Sequence, residues 1–79
     1  MEDLRAAAAE FRAARAAVVE AKDQLKAARK RSREARERLA AAIVAEGRGG
    51  TPVQRIADET PFTREAVRLR LRQAGVEPN

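Results

Sequence analysis

Large apolar residues recur every seven positions along the first half of the chain. Leu4, Phe11, Val18 and Leu25 share one phase, continued by Ser32 and Leu39. Ala7, Ala14, Ala21, Ala28, Ala35 and Ala42 stand three residues after them. With the first set as a and the second as d, this is a coiled-coil seam. Between Glu2 and Glu46 there is no glycine and no proline, and Ala, Arg, Glu, Lys, Gln and Leu dominate. These are strong helix formers. The spacing predicts one helix over residues 2–46, roughly 65 Å long at ~1.5 Å per residue. The first break is Gly47-Arg48-Gly49-Gly50, expected to cap the helix and serve as a Gly-rich joint over 47–50.

The seam is large at five of its six a positions, Ser32 being the exception, and alanine at every d. In a parallel pair its layers alternate between large-on-large and Ala-on-Ala, which leaves voids or forces the axes apart. In an antiparallel pair each a faces a d, and every layer holds one large and one small side chain. The pattern resembles the close-packed antiparallel alanine coils called Alacoils. An antiparallel homodimer is favoured, with Leu4, Ala7, Phe11, Ala14, Val18, Ala21, Leu25 and Ala28 at its interface. Antiparallel pairing brings g against g, so that Asp3 faces Arg38 and Glu10 faces Arg31 across the pair. The e positions Arg15, Lys22 and Arg29 crowd one another and disagree, but surface charge pairs weigh less than layer packing.

The pattern changes after residue 50. Thr51-Pro52-Val53-Gln54 reads as a capping box with proline at the first helical position. A short helix is expected to about Glu59. Pro61 then disfavours helix at Thr60, which gives a turn at Thr60-Pro61-Phe62. Thr63 is expected to cap a second helix, with Glu65 in its first turn, ending near Ala74 at Gly75. Val53, Ile56 and Ala57 share one face of the first short helix, and Val67, Leu71 and Ala74 share one face of the second. Phe62 lies between them. A third helix is needed to close this core, and Leu39, Ala40, Ile43 and Val44 at the end of the long helix supply it. The expected fold is all-α: a long N-terminal coiled-coil helix whose end joins the two short helices of 51–75 in a three-helix bundle, with a short tail at 76–79 in which Val76 covers the bundle's end.

Composition narrows the chemistry. Seventy-nine residues with two Phe, no Trp and no Tyr make a thin core, so a partner subunit is expected. The chain has no His and no Cys. The commonest general base, thiol nucleophile and transition-metal ligands are therefore absent. No enzyme activity, metal or cofactor is expected, and no small-molecule ligand. The net charge is +5, and fourteen of the seventeen cations are arginine. Arginine forks onto phosphates and guanine edges better than lysine does. No apolar run approaches the ~20 residues of a membrane span, and no signal-peptide pattern precedes the polar Met1–Arg5 start. A cytoplasmic, nucleoid-associated protein with no membrane partner is the expectation.

Residues 51–75 resemble the helix-turn-helix family of DNA-binding proteins, including its resolvase, transposase and small bacterial repressor members. The matching residues are Ile56-Ala57, the turn at Pro61-Phe62-Thr63, and Val67 and Leu71. The resemblance implies base reading by Thr63, Arg64, Glu65, Arg68, Leu69 and Arg72. The residues themselves agree in part. With Val67 and Leu71 inward, Glu65, Arg68, Leu69 and Arg72 point outward. An outward leucine among arginines suits a thymine methyl, Arg68 and Arg72 suit guanine O6 and N7, and Glu65 suits cytosine N4 or a neighbouring arginine.

A basic stripe at positions b and e of the long helix holds Arg5, Arg12, Arg15, Lys22, Lys26, Arg29, Arg33 and Arg36, with no acid at either position. Arg29, Arg33 and Arg36 there, with Arg48, Thr51 and Gln54 nearer the reading unit, are candidates for the DNA backbone. Gln24–Arg33 resembles a basic-zipper contact region, but one extra residue before Ser32 turns the face by ~100° and breaks it.

The function read from the sequence is sequence-specific binding of double-stranded DNA by a homodimeric helix-turn-helix protein. It would be a transcriptional regulator or accessory factor of bacterial, phage or plasmid type. In the antiparallel arrangement the reading units sit about 60 Å apart, matching half-sites about 20 base pairs apart. The competing readings are a coiled-coil interaction protein that binds an acidic protein partner and a nonspecific nucleoid-associated protein that uses the basic stripe.

Overall fold

The computed structural model describes residues 1–78. The chain is all-α. Helix α1 spans Glu2–Arg48, α2 spans Val53–Asp58 and α3 spans Arg64–Gln73. Two compact units divide it, Met1–Arg33 and Glu34–Asn79.

The first unit is helix alone. Glu2 and Asp3 lie in its first turn, where the unpaired backbone N–H groups favour negative charge. Ala8 is partly covered and every other residue of this unit is exposed. Leu4, Phe11, Val18 and Leu25 are each at least half exposed. The heptad phase therefore meets nothing within the unit. The guanidinium of Arg15 lies over the Phe11 ring, 5.7 Å from its centroid.

The second unit holds the core. Ile43 of α1, Val53, Ile56 and Ala57 of α2, Val67 and Leu71 of α3, and Val76 of the tail are buried together. Leu39, Val44 and Phe62 pack against this cluster. No polar or charged side chain is buried among the described residues. The cluster matches the hydrophobic faces read from the sequence, with three differences. Ala74 is exposed at the C-cap of α3, Ala40 is only partly covered, and Gly47 is buried.

Gly47 corrects the expected end of the long helix. α1 does not stop at Glu46; it continues through Gly47 and Arg48. The residues expected to form a joint are thus half helical. A Cβ added at Gly47 would collide with Cδ2 of Leu71 and lie 3.3 Å from Cδ1. The glycine is there for close approach, since α3 presses Leu71 onto the α1 backbone. The residue that turns the chain is Gly50, at φ 88°. Around it Gly50 N donates to Gly47 O and Thr51 N donates to Glu46 O, at 3.1 and 3.0 Å. These two bonds form a Schellman ending.

That ending also overturns the capping box. Thr51 is the last residue of the α1 ending, and its hydroxyl donates to Glu46 Oε2 at 2.6 Å. It is therefore turned toward α1. Pro52 is the N-cap of α2, and no side chain caps it. Gln54 does not reach back; its Nε2 donates forward to Asp58 Oδ1 at 2.8 Å.

The connection Glu59–Thr63 is built as the sequence suggests. Thr60 Oγ1 donates to Ala57 O and accepts from Phe62 N, both at 3.3 Å. Thr63 caps α3, its Oγ1 accepting from Ala66 N at 3.2 Å. α3 ends in a second Schellman motif. Gly75 takes φ 75°, Gly75 N donates to Arg72 O, and Val76 N donates to Leu71 O at 2.8 Å. The accompanying hydrophobic contact is Val76 in the core with Leu71.

Two stability outcomes follow from these contacts. Gly to Ala in an exposed helix gains up to about 1 kcal/mol. Gly47→Ala should instead lose about 1–3 kcal/mol by overpacking Leu71. The urea midpoint should fall, and Leu71→Ala, which alone costs about 2–5 kcal/mol, should add less than its full cost in the double variant. A raised midpoint for Gly47→Ala would mean that Leu71 repacks freely. Thr63→Ala should lower stability by about 1 kcal/mol in thermal melts followed by circular dichroism, and Thr63→Asp should restore most of it.

Candidate nucleic-acid interface

α3 has two faces because its apolar residues recur four apart. Val67 and Leu71 are fully buried. Their burial fixes the helix's rotation, and the residues between them must then face away from the core. Glu65, Arg68, Leu69 and Arg72 follow one another at helical neighbour spacing and form one stripe on that outer side. Leu69 is 56% exposed. Arg72 and Glu65 are exposed, as is Arg64 at the N-terminal flank.

Arg68 is less free than its neighbours. Its side chain is only 27% exposed, and its Nη1 donates to Glu65 Oε1. This is the one ion pair among the described residues. Such pairs on a helix surface contribute a few tenths of a kcal/mol, so this one orients Arg68 more than it stabilises the fold. Thr63 is exposed, but its hydroxyl already accepts the Ala66 N–H, which makes its local role structural.

One residue of α3 was missed from sequence. Arg70 stacks its guanidinium 4.2 Å from the centroid of the Phe62 ring. Phe62 is in turn packed against the core. The stack therefore joins α3 to the turn that precedes it, a cation–π contact worth about 0.5–1 kcal/mol when partly exposed. Seven residues lie between the two, and no short-range pattern links them. The helix thus carries four arginines and one glutamate. Among the described residues Arg64 and Arg72 have no carboxylate partner, Arg68 is held by Glu65, and Arg70 is held by Phe62.

The residues assigned to the DNA backbone do not form one group. Arg48 is exposed in the last turn of α1. Thr51 and Gln54 are engaged with Glu46 and Asp58, as described above. In the first unit, Arg29 and Arg33 border a shallow depression together with Lys22, Lys26, Lys30 and one carboxylate, Asp23. Arg36, in the second unit, is exposed. The eight residues assigned to a dimer interface, Leu4 to Ala28, are all exposed.

A separate groove of about 490 Å³ lies between the end of α1 and α2, with Leu39, Ala42, Ile43 and Ile56 below and Glu46, Arg55 and Glu59 at the rim. Its rim is of mixed sign, which does not suit a polyanion. Among the described residues no group of three His, Cys, Asp or Glu side chains is placed to hold a metal ion. No helix among them is long and apolar enough to cross a membrane. Against known proteins, the chain matches no protein-family model, no curated protein and no solved structure.

Proposed function

We propose that the chain is a homodimeric, sequence-specific double-stranded DNA-binding protein that acts as a transcriptional regulator or accessory factor of bacterial, phage or plasmid type at the nucleoid. The observation that carries this reading is Leu69. It is a large apolar side chain, more than half exposed, set between Arg68 and Arg72 on the outer stripe of α3. The opposite side of the helix is sealed by Val67 and Leu71. A solvated helix face gains only helix propensity from an exposed leucine. A major groove supplies partners for the two free members of the stripe: a thymine methyl for Leu69, and guanine O6 and N7 for Arg72.

The Glu65–Arg68 pair fits the same reading. A guanidinium held by a neighbouring carboxylate presents its remaining N–H donors in a fixed direction, which lowers the entropy cost of docking. Arg64 and Arg48 are exposed cations suited to phosphate. The cation-rich depression of the first unit supports the second reading, nonspecific binding to DNA through phosphates alone.

Duplexes selected from a random pool should converge on a consensus, and the intact chain should bind it at least a hundredfold more tightly than random duplex at fixed salt. Arg72→Ala and Leu69→Ala should each cost about 1–3 kcal/mol on the consensus and little on random duplex. Both side chains are exposed, so the melting temperature should stay within a few degrees. Equal binding of selected and random duplexes, with loss on Arg29→Ala/Arg33→Ala and none on Arg72→Ala, would replace this reading with the nonspecific one.

A further inference from the structure

The unpartnered a and d positions of α1 raise a question that heptad phase alone leaves open, namely where along the helix a second copy sits. Antiparallel pairing can slide by whole heptads. Each register matches an a residue to a d residue at a different sum of residue numbers.

Two observations select one register. The first is the fate of Leu39. It has the phase of the seam, yet it packs against the core of the second unit. The free seam therefore ends before it, leaving a positions from Leu4 to Ser32 and d positions from Ala7 to Ala35. These sets are equal in number and close on one another in a single antiparallel alignment. The second observation is charge. Asp3, Glu10, Arg31 and Arg38 are all exposed and have no ion-pair partner among the described residues of their own chain.

We propose that a second copy of this chain docks antiparallel on α1 with its two-fold axis between Val19 and Glu20. This proposal rests on the dimer in the functional reading above. Leu4 then meets the partner's Ala35, Phe11 meets the partner's Ala28, and Val18 meets the partner's Ala21. Each layer holds one large and one small side chain, so the helix axes stay evenly spaced. Leu25 likewise meets the partner's Ala14, and the one remaining layer sets Ala7 against the partner's Ser32 and is small on both sides. At g, Asp3 meets the partner's Arg38 and Glu10 meets the partner's Arg31.

Sliding by one heptad spoils the layers and leaves only one of the two acid–arginine pairs. In one direction Ala7 is set against the partner's Leu39, which the bundle already holds, and Asp3 meets the partner's Ala45 while Glu10 meets the partner's Arg38. In the other direction the layers at Ser32 and Ala35 are lost, and Glu10 meets the partner's Gln24 while Asp3 meets the partner's Arg31. The e positions carry cations on both copies in every register. In the proposed one Arg15 meets the partner's Lys22, and Arg15 is drawn aside over the Phe11 ring of its own chain.

The chain has no cysteine, so disulfide trapping reads the register directly. Ala7→Cys and Ser32→Cys change little volume and remove no large seam residue. Under mild oxidation, an equimolar mixture of the two single variants should give a covalent dimer, and each variant alone should give little. Sedimentation of the unmodified chain is the companion measurement. A monomer at all concentrations removes the dimer itself, and the register falls with it. A dimer in which each variant cross-links alone is parallel and overturns the proposal. A dimer that traps neither alone nor mixed has another register or another face, and overturns it equally. DNA selection with the unmodified chain is scored separately, so loss of this register leaves sequence reading by α3 standing.

Discussion

The contact between Leu71 and Gly47 is the constraint on which the second unit depends. Leu71 is fully buried and reaches the α1 backbone only because residue 47 has no side chain. That close approach sets how near α3 lies to α1. With Val67, also fully buried, it sets how α3 is rotated. The rotation in turn decides which residues of α3 are left for anything outside the molecule. The exposed leucine at position 69 is therefore a consequence of a glycine twenty-two residues earlier.

The rest of the second unit is economical. Its core is entirely apolar and draws on all three helices and the tail. At the ends of the helices, where unpaired backbone groups need partners, the chain places a capping threonine and two glycines. Thr63 supplies an acceptor at the start of α3, and Gly50 and Gly75 close the ends of α1 and α3 in the same way. The two aromatic residues serve different purposes. Phe62 fills the turn and receives Arg70, whereas Phe11 lies exposed on the first unit under Arg15.

Much of this was legible in the sequence because it is local or periodic. The absence of Gly and Pro before residue 47 marked α1, and Thr63 and Gly75 marked the ends of α3. The apolar phases of α2 and α3 gave Val53, Ile56, Ala57, Val67 and Leu71. What escaped depends on which of two plausible partners a residue chooses in three dimensions. Gly47 reads as a stop, but the stop is Gly50, because only the packing of Leu71 shows which glycine must lack a side chain. Thr51 reads as a cap for α2, yet Glu46 claims its hydroxyl from the preceding helix. Leu39 fits both the heptad and the bundle, and the bundle takes it. Of the stripe on α3, the outward facing of Glu65, Leu69 and Arg72 was legible, whereas Arg68 is largely covered. The Glu65 hold on Arg68 was one of two roles open to that carboxylate, and the Arg70 stack on Phe62 carried no sequence signal.

The missing cap on α2 has a consequence of its own. Six residues are too few to sustain a helix in water, since the cost of starting one is recovered only over longer runs. With Thr51 turned away and Pro52 unable to donate, only the exposed Gln54–Asp58 hydrogen bond, worth a few tenths of a kcal/mol, offsets that cost locally. The helicity of α2 is held in place by three side chains, Val53, Ile56 and Ala57, inserted in the core. Its backbone amides should therefore be the first of the bundle to exchange with solvent. Any fluctuation that lifts those three side chains frees Thr60 from the Ala57 carbonyl and slackens the turn that aims α3.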